Sequence, residues 1–257
     1  MKSSWIKSFI LLGALTLPSH AILGVGLHWA PAFGPEVKAA SGPIMPDGYA
    51  ASDRITLLTG STSGLNGIGT KFWIDFLPFI DVEATTNIQF GYYDMAFIVD
   101  DGGGPDTTEV NPEFNIPFTQ NKPFYGRLSG DVAVLYPFFK IPLLKLYAGG
   151  GLSYIAATPV LNNSFAKNAL THADTASNFN PDNATPEQIQ EVLVEALKDE
   201  GLQMGIGFFV QAGAKVKAPI IPIALYANAK YGFGGPSTKG VSGVPGLTAE
   251  LGAAFAF

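Results

Sequence analysis

The sequence predicts an all-β fold, an eight-stranded antiparallel up-and-down barrel that crosses a membrane, with one short helix in a long loop. Three observations predict it. Eight segments alternate apolar with polar or small side chains at a period of two. Charges in the centres of those segments share one face, and the links between segments alternate short with long. Composition agrees: the chain is 47% hydrophobic and only 14% charged, against roughly 25% charged in ordinary soluble domains. A surface turned to lipid has no use for charge.

Residues 1–21 read as a leader for export. Lys2 and Lys7 precede an apolar stretch from Phe9 to Leu17, and Ser19 and Ala21 are the small residues before an expected cleavage. The stretch is too short to span a bilayer as a helix. The second expected domain, the barrel, covers residues 22–257. Without Lys2 and Lys7, the 15 basic residues fall to 13 against 21 acidic, a net charge near −8, so nucleic acid is not an expected partner. The chain has no cysteine. Disulfides and a lipid-anchoring cysteine are therefore not expected, although an exported chain meets an oxidising compartment.

The strands are expected near 22–34, 66–77, 81–96, 122–136, 143–157, 202–217, 223–234 and 245–257. In the second, Ile68, Thr70, Phe72, Ile74 and Phe76 share a face opposite Lys71, Trp73 and Asp75. In the fourth, Phe124, Leu128, Val132, Val134 and Tyr136 oppose Tyr125, Arg127, Ser129 and Asp131. With each register set by apolar residues alone, Lys71, Asp75, Glu83, Arg127, Asp131, Lys145, Lys215, Lys230 and Glu250 all fall on the other face. Lysine or arginine at a bilayer midplane costs about 2–4 kcal/mol, which is reason enough for that sorting.

Links 2–3, 4–5 and 6–7 are short and proline-containing, whereas the others run to about 30, 25, 44 and 10 residues. A barrel with both termini in the periplasm sorts its tight turns and long loops to opposite ends in this way. The last strand adds a motif. Glu250, Gly252, Phe255 and Phe257 form Glu-x-Gly-x-x-Phe-x-Phe, which resembles the C-terminal signal by which the assembly machinery recognises bacterial outer-membrane barrels. The whole chain is similar to the small eight-stranded outer-membrane barrels, the OmpA-like and OmpX-like class, without a periplasmic domain. That resemblance implies residence in the cell outer membrane, contact with its lipid and handling by the barrel assembly machinery.

Eight strands enclose a space that side chains just fill. The inward set is expected to hold the nine charges above with His28, Tyr93, Tyr125, Tyr147, Phe209 and Tyr226, interleaved with glycines. Five positive and four negative charges suggest a salt-bridged plug; a narrow pore or small-ligand pocket is the alternative where glycines leave room. Trp29, Phe33, Tyr92, Phe124, Tyr231 and Phe233 read as one aromatic girdle, and Phe76, Phe79, Tyr136, Phe138, Phe139, Phe255 and Phe257 as the other. In the third long link, Thr185 caps, Pro186 starts and Gln188 completes a capping box for a helix near 186–199, whose apolar stripe is Ile189, Val192, Leu193, Ala196 and Leu197. That stripe is expected to cover the barrel mouth or a neighbouring loop.

Candidate chemistry is sparse. Asp100, Asp101 and Asp106 around Gly102-Gly103-Gly104 read as a solvated turn, with calcium as the alternative, and the spacing is not that of an EF-hand. His172 lies near Asp174, Ser164 and Ser177 in sequence, but nothing fixes a nucleophile–base geometry. No cofactor or metal is expected. The expectation is a non-enzymatic outer-membrane barrel with a structural or surface-interaction role through its long loops and an unknown extracellular partner. A narrow channel or small hydrophobic-ligand binder is the alternative, a lipid A-modifying enzyme the third reading, and a soluble lipocalin-like barrel the architectural rival.

Overall fold

The structure is a computed structural model; it describes residues 23–45, 55–75, 79–100, 107–110, 122–176, 179–180, 183–218, 221–238, 240–242 and 245–256. The leader, its Ser19 and Ala21, and Phe76 and Phe257 lie outside them.

Strands β1 (Leu23–Trp29), β2 (Ala32–Val37), β3 (Ala40–Pro43), β4 (Ile55–Thr59), β5 (Thr62–Ile74), β6 (Asp81–Tyr92), β7 (Met95–Asp100), β8 (Thr107–Val110), β9 (Phe124–Lys140) and β10 (Leu144–Ala157) come first. Helices α1 (Asn163–Ala176) and α2 (Pro186–Glu200) follow, then β11 (Gln203–Lys217), β12 (Ile223–Gly234), β13 (Val241–Ser242) and β14 (Gly246–Ala256). Eight of the strands form one ring, in the order β1-β14-β12-β11-β10-β9-β6-β5, and the antiparallel pairing of β5 with β1 closes it. Chain neighbours are ring neighbours throughout, as in an up-and-down barrel with no free edge.

The barrel is inside out relative to a soluble protein. On β1 the burial alternates residue by residue, with Leu27 70% exposed and its neighbour His28 buried. Ile68 is 67% exposed, while Lys71, three positions on and on the other face, is 1% exposed. Val132, Val134, Leu152, Ile206, Phe208, Val210, Leu225 and Leu251 point out in the same way. Water does not tolerate a contiguous apolar belt around a whole cylinder, so this exterior is a lipid-facing one. A soluble barrel of the lipocalin kind, with its polar residues outside, is overturned by the same pattern. No described helix is long and apolar enough to cross a membrane; the crossing is made by strands.

The lipid face gives a direct prediction. Val132→Lys places an ammonium on the outward face at the middle of β9, and it should lower the stability of the barrel folded in bilayers by about 2–4 kcal/mol. The measurement is reversible urea unfolding in vesicles, followed by tryptophan emission. Loss of less than about 0.5 kcal/mol, the usual cost at a water-facing surface, would place that face in solvent.

Three expectations about the elements need correction. The first strand is not continuous over 22–34, because Pro31 has no N–H to give the ladder; β1 stops at Trp29 and β2 resumes at Ala32, pairing onward with β5, β13 and β14. The third ends at Tyr92, and β7 leaves the barrel wall. Among the described residues the long links hold two helices, not one. They also hold a second sheet, ordered β3-β4-β7-β8.

That sheet and the two helices make a cap on the long-loop end. Ile44, Met45, Ile55, Leu57, Met95 and Phe97 from the sheet side bury against Leu161, Ala166, Leu170, Ile189 and Leu193 from the helix side. The apolar stripe of α2 therefore packs on neighbouring loops, not on lipid. Below it, Ala32, Val37, Leu65, Tyr93, Tyr125, Ala157 and Val160 join cap to barrel. The Tyr93 hydroxyl accepts from the Leu161 backbone N–H at 3.1 Å, and burial pushes this phenol up to about 12.

Local chemistry explains both helices. Thr185 accepts from the Gln188 N–H at 3.4 Å and Gln188 accepts from the Thr185 N–H at 3.0 Å, with Pro186 at the start and Gly201 at positive φ at the end. Glu187, in the first turn, is held below the usual carboxylate range by its own backbone N–H and by Thr185. The Asn162 side chain caps α1 by accepting from the Phe165 N–H at 2.9 Å.

Candidate functional site

The lumen collects the nine predicted charges, all buried or nearly so, plus Asp81, whose inward placement the strand centres did not reveal. Five cations now face five carboxylates.

Nearest the tight-turn end, Lys145 bridges Asp75 at 3.0 Å and Asp81, and Lys215 stands 3.9 Å from Asp75 with its ammonium 3.7 Å from the centre of the Trp73 ring. One layer up, Lys71 binds Glu83 at 2.6 Å and Glu250 at 2.8 Å, and Lys230 binds Glu250 and Asp131 at 2.7 Å each. Gln211 donates to Glu83 at 3.0 Å and Asn228 to Glu250 at 2.8 Å; the Tyr147 hydroxyl donates to Asn228, and Ser153 to Asp131. Aromatic faces take up the remaining cation surface: Lys71 lies over Tyr226 at 4.9 Å and Lys230 over Phe209 at 4.8 Å.

Arg127 ends the stack toward the cap, and among the described residues no carboxylate takes its guanidinium. Instead Gln89 accepts two of its N–H groups at 2.9 and 2.6 Å, the Pro245 carbonyl another at 2.7 Å, and Thr248 a fourth at 3.3 Å. Thr248 sits on β14, half the ring away from β9. Bonds therefore span the lumen at several heights, a network a buried charge requires if it is to stay charged.

Glycines do not leave the interior hollow. A Cβ on Gly24 would fall 2.1 Å from the Trp73 ring, and one on Gly69 2.3 Å from the His28 Nε2. Side chains lie flat where the glycines make room. His28 is fixed there between the Tyr226 hydroxyl at 3.0 Å and the Asn87 Oδ1 at 2.6 Å. It has no serine or cysteine beside it among these partners. A void of about 20 Å³ beside Arg127, Asp131 and Lys230 is about the space of one or two waters.

The catalytic grouping suggested by sequence does not assemble. His172 and Ser164 both stand on α1, eight residues apart, which is about 12 Å along a helix and beyond proton-transfer reach. Ser177 and the side chain of Asp174 lie outside the described residues, as do Asp101, Asp106 and the side chain of Asp100. His172 does border a depression of about 450 Å³ between α1, α2 and the start of β11, with Phe165, Val160 and Ala169 as its apolar wall and Asp199, Glu200 and Gln203 at its edge. Among the described residues, no group of three histidine or carboxylate side chains converges to hold a metal ion.

A closed ring of eight antiparallel strands, apolar outside and ion-paired inside, decides the architecture. The chain is a small eight-stranded antiparallel barrel with a lipid-facing wall. No protein-family profile matches the sequence, and no curated protein matches it. Similar solved structures include Ail, the attachment invasion locus protein of Yersinia pestis, at 11% identity and TM-score 0.40, covering 93% of this chain and 99% of that one. The outer membrane protein OprG from Pseudomonas aeruginosa is 14% identical with TM-score 0.44, over 93% of this chain and 97% of its own. The beta domain of the Bordetella autotransporter BrkA stands at 8% identity and TM-score 0.34, over 91% and 99%. The architecture itself rests on the register and burial given above.

Proposed function

We propose that this is a non-enzymatic barrel of the cell outer membrane, delivered by a cleaved leader over residues 1–21 and the barrel assembly machinery, whose folded cap is a structural or interaction surface outside the cell. What carries the reading is the contrast between the two halves: a lumen occupied by mutually paired charges, and above it long links that bury a core of their own. A loop region that served only to connect strands would not need one. The solvent side of α2 presents Glu187, Glu191, Glu195, Asp199 and Glu200, all exposed, so a partner there is met by an acidic face.

Two measurements test it. Because the chain lacks cysteine, Glu191→Cys should react with a membrane-impermeant maleimide on intact cells, whereas Leu143→Cys, in the tight turn between β9 and β10, should react only after the cells are broken. The reverse pattern overturns the orientation. In planar bilayers the protein should give no discrete conductance steps; reproducible steps would favour the narrow channel.

A further inference from the structure

The charge network is not complete at the tight-turn end. A cavity of about 40 Å³ opens there, lined by Trp73, Asp75, Lys145, Lys215, Lys140 and Lys217 together with the β9–β10 turn. At roughly 10–15 Å³ per water on this measure, it holds about three waters, or one tetrahedral anion. Its lining residues carry donors without acceptors. The Lys215 ammonium, on a side chain only 6% exposed, makes no hydrogen bond; nor does the Trp73 Nε1–H, on a residue with no exposure at all, and the Lys145 ammonium has ion pairs without a well-aligned hydrogen bond. Buried donors left this way are costly, and nearly all such groups in folded proteins are satisfied by something.

The lining favours an anion over a cation. Among the described lining residues the one carboxylate is Asp75, whose Oδ1 is 3.9 Å from Lys215 and unbonded; the Asp81 carboxylate behind it has its ion pair to Lys145 but no well-aligned hydrogen bond. Against Asp75 stand four lysines, two buried and two, Lys140 and Lys217, at the half-exposed rim. Even with Asp81 bound to Lys145 behind the cavity, the described side chains here bring four lysines against two carboxylates. A cation would meet four lysines and one carboxylate in a lining otherwise apolar, whereas an anion meets the ammonium groups and the indole N–H.

We propose that this cavity is a binding site for a phosphate group, with the Lys215 ammonium and the Trp73 indole N–H as its inner donors and Lys140 and Lys217 drawing the anion in. It lies at the tight-turn end whichever compartment that end faces, so it does not depend on the orientation proposed above. Free inorganic phosphate and the phosphodiester of a lipid headgroup share the needed chemistry.

The test uses the chain expressed from residue 22, refolded in a phosphate-free maltoside detergent and carrying Trp29→Phe, so that Trp73 gives the single indole N–H resonance. Titration with inorganic phosphate should move that resonance saturably, and chloride at equal ionic strength should not. Lys215→Met should abolish the shift. Should that variant fail to fold, Lys217→Gln at the rim should still weaken binding about two- to five-fold, the worth of one exposed charge contact. In a second arm, micelles doped with phosphatidylglycerol in place of free phosphate report whether a lipid headgroup reaches the site; a shift in either arm supports a phosphate site and names its source. No shift in either arm, meaning waters alone fill the cavity, or an equal shift with chloride, meaning an adventitious ion only, would overturn the proposal.

Discussion

Replacing Glu250 with leucine is expected to destabilise the barrel by about 3–5 kcal/mol, the usual cost of breaking a buried ion pair from one side. Glu250 is wholly buried and accepts from two lysines on different strands, Lys71 at 2.8 Å and Lys230 at 2.7 Å, and from Asn228. Removing it leaves two buried ammonium groups each with one carboxylate. The direction of the effect is informative: a hydrophobic residue, which would stabilise the core of a soluble protein, is expected to weaken this one. Glu250→Gln retains shape and an acceptor for Asn228, so it should lose less. Glu250 is also part of the expected assembly signal, and unfolding of protein refolded from urea separates stability from delivery. A loss below 1 kcal/mol for Glu250→Leu would mean that the lumen is hydrated enough to screen its charges.

Leu193→Ala is expected to cost about 2–5 kcal/mol, and to spend it on the cap alone. Leu193, on α2, has no exposure and belongs to the cap core that the two helices share with β4 and β7. The barrel wall is closed by its own ladder and does not need that contact. The variant should therefore keep the heat-modifiable mobility of a folded barrel in gels while its cap becomes open to protease at α1 and α2. Glu191→Ala, one turn face away and exposed, should change neither. If Leu193→Ala unfolds cap and barrel together, the two halves are one cooperative unit.

The barrel was legible because its physics is local. A two-residue period with charge confined to one face is written directly into each strand, and β5, β9 and β12 obey it over most of their length. The cap obeys no such rule. Strand β7 reads Met-Ala-Phe-Ile-Val-Asp, an apolar run without alternation, and β3 and β8 have four residues each, too few to show a period. Helix α1 is rich in asparagine, serine and threonine; its signal was Asn162 as a cap followed by Phe165, Ala166, Ala169 and Leu170 on one face, spacing that a search for capping boxes passes over. Asp81 opens a strand, so counting charges at strand centres missed it, although it shares the face of Glu83 by period alone. Arg127 shows the limit of counting charges at all. Its acceptors are neutral, and only the fold brings Gln89, Pro245 and Thr248 to it.

What touches the outer wall decides whether the barrel spans a membrane, and two tryptophans of opposite orientation measure it. Trp29 is half exposed on the outward face of β1, and Trp73 is fully buried inside the barrel. In vesicles whose acyl chains carry bromine, the chain expressed from residue 22 should lose much of its tryptophan emission, and Trp29→Phe should remove that loss, leaving Trp73 unquenched. Emission unchanged by brominated lipid in the parent protein would mean that water wets the outer wall, and would contradict a membrane-spanning barrel.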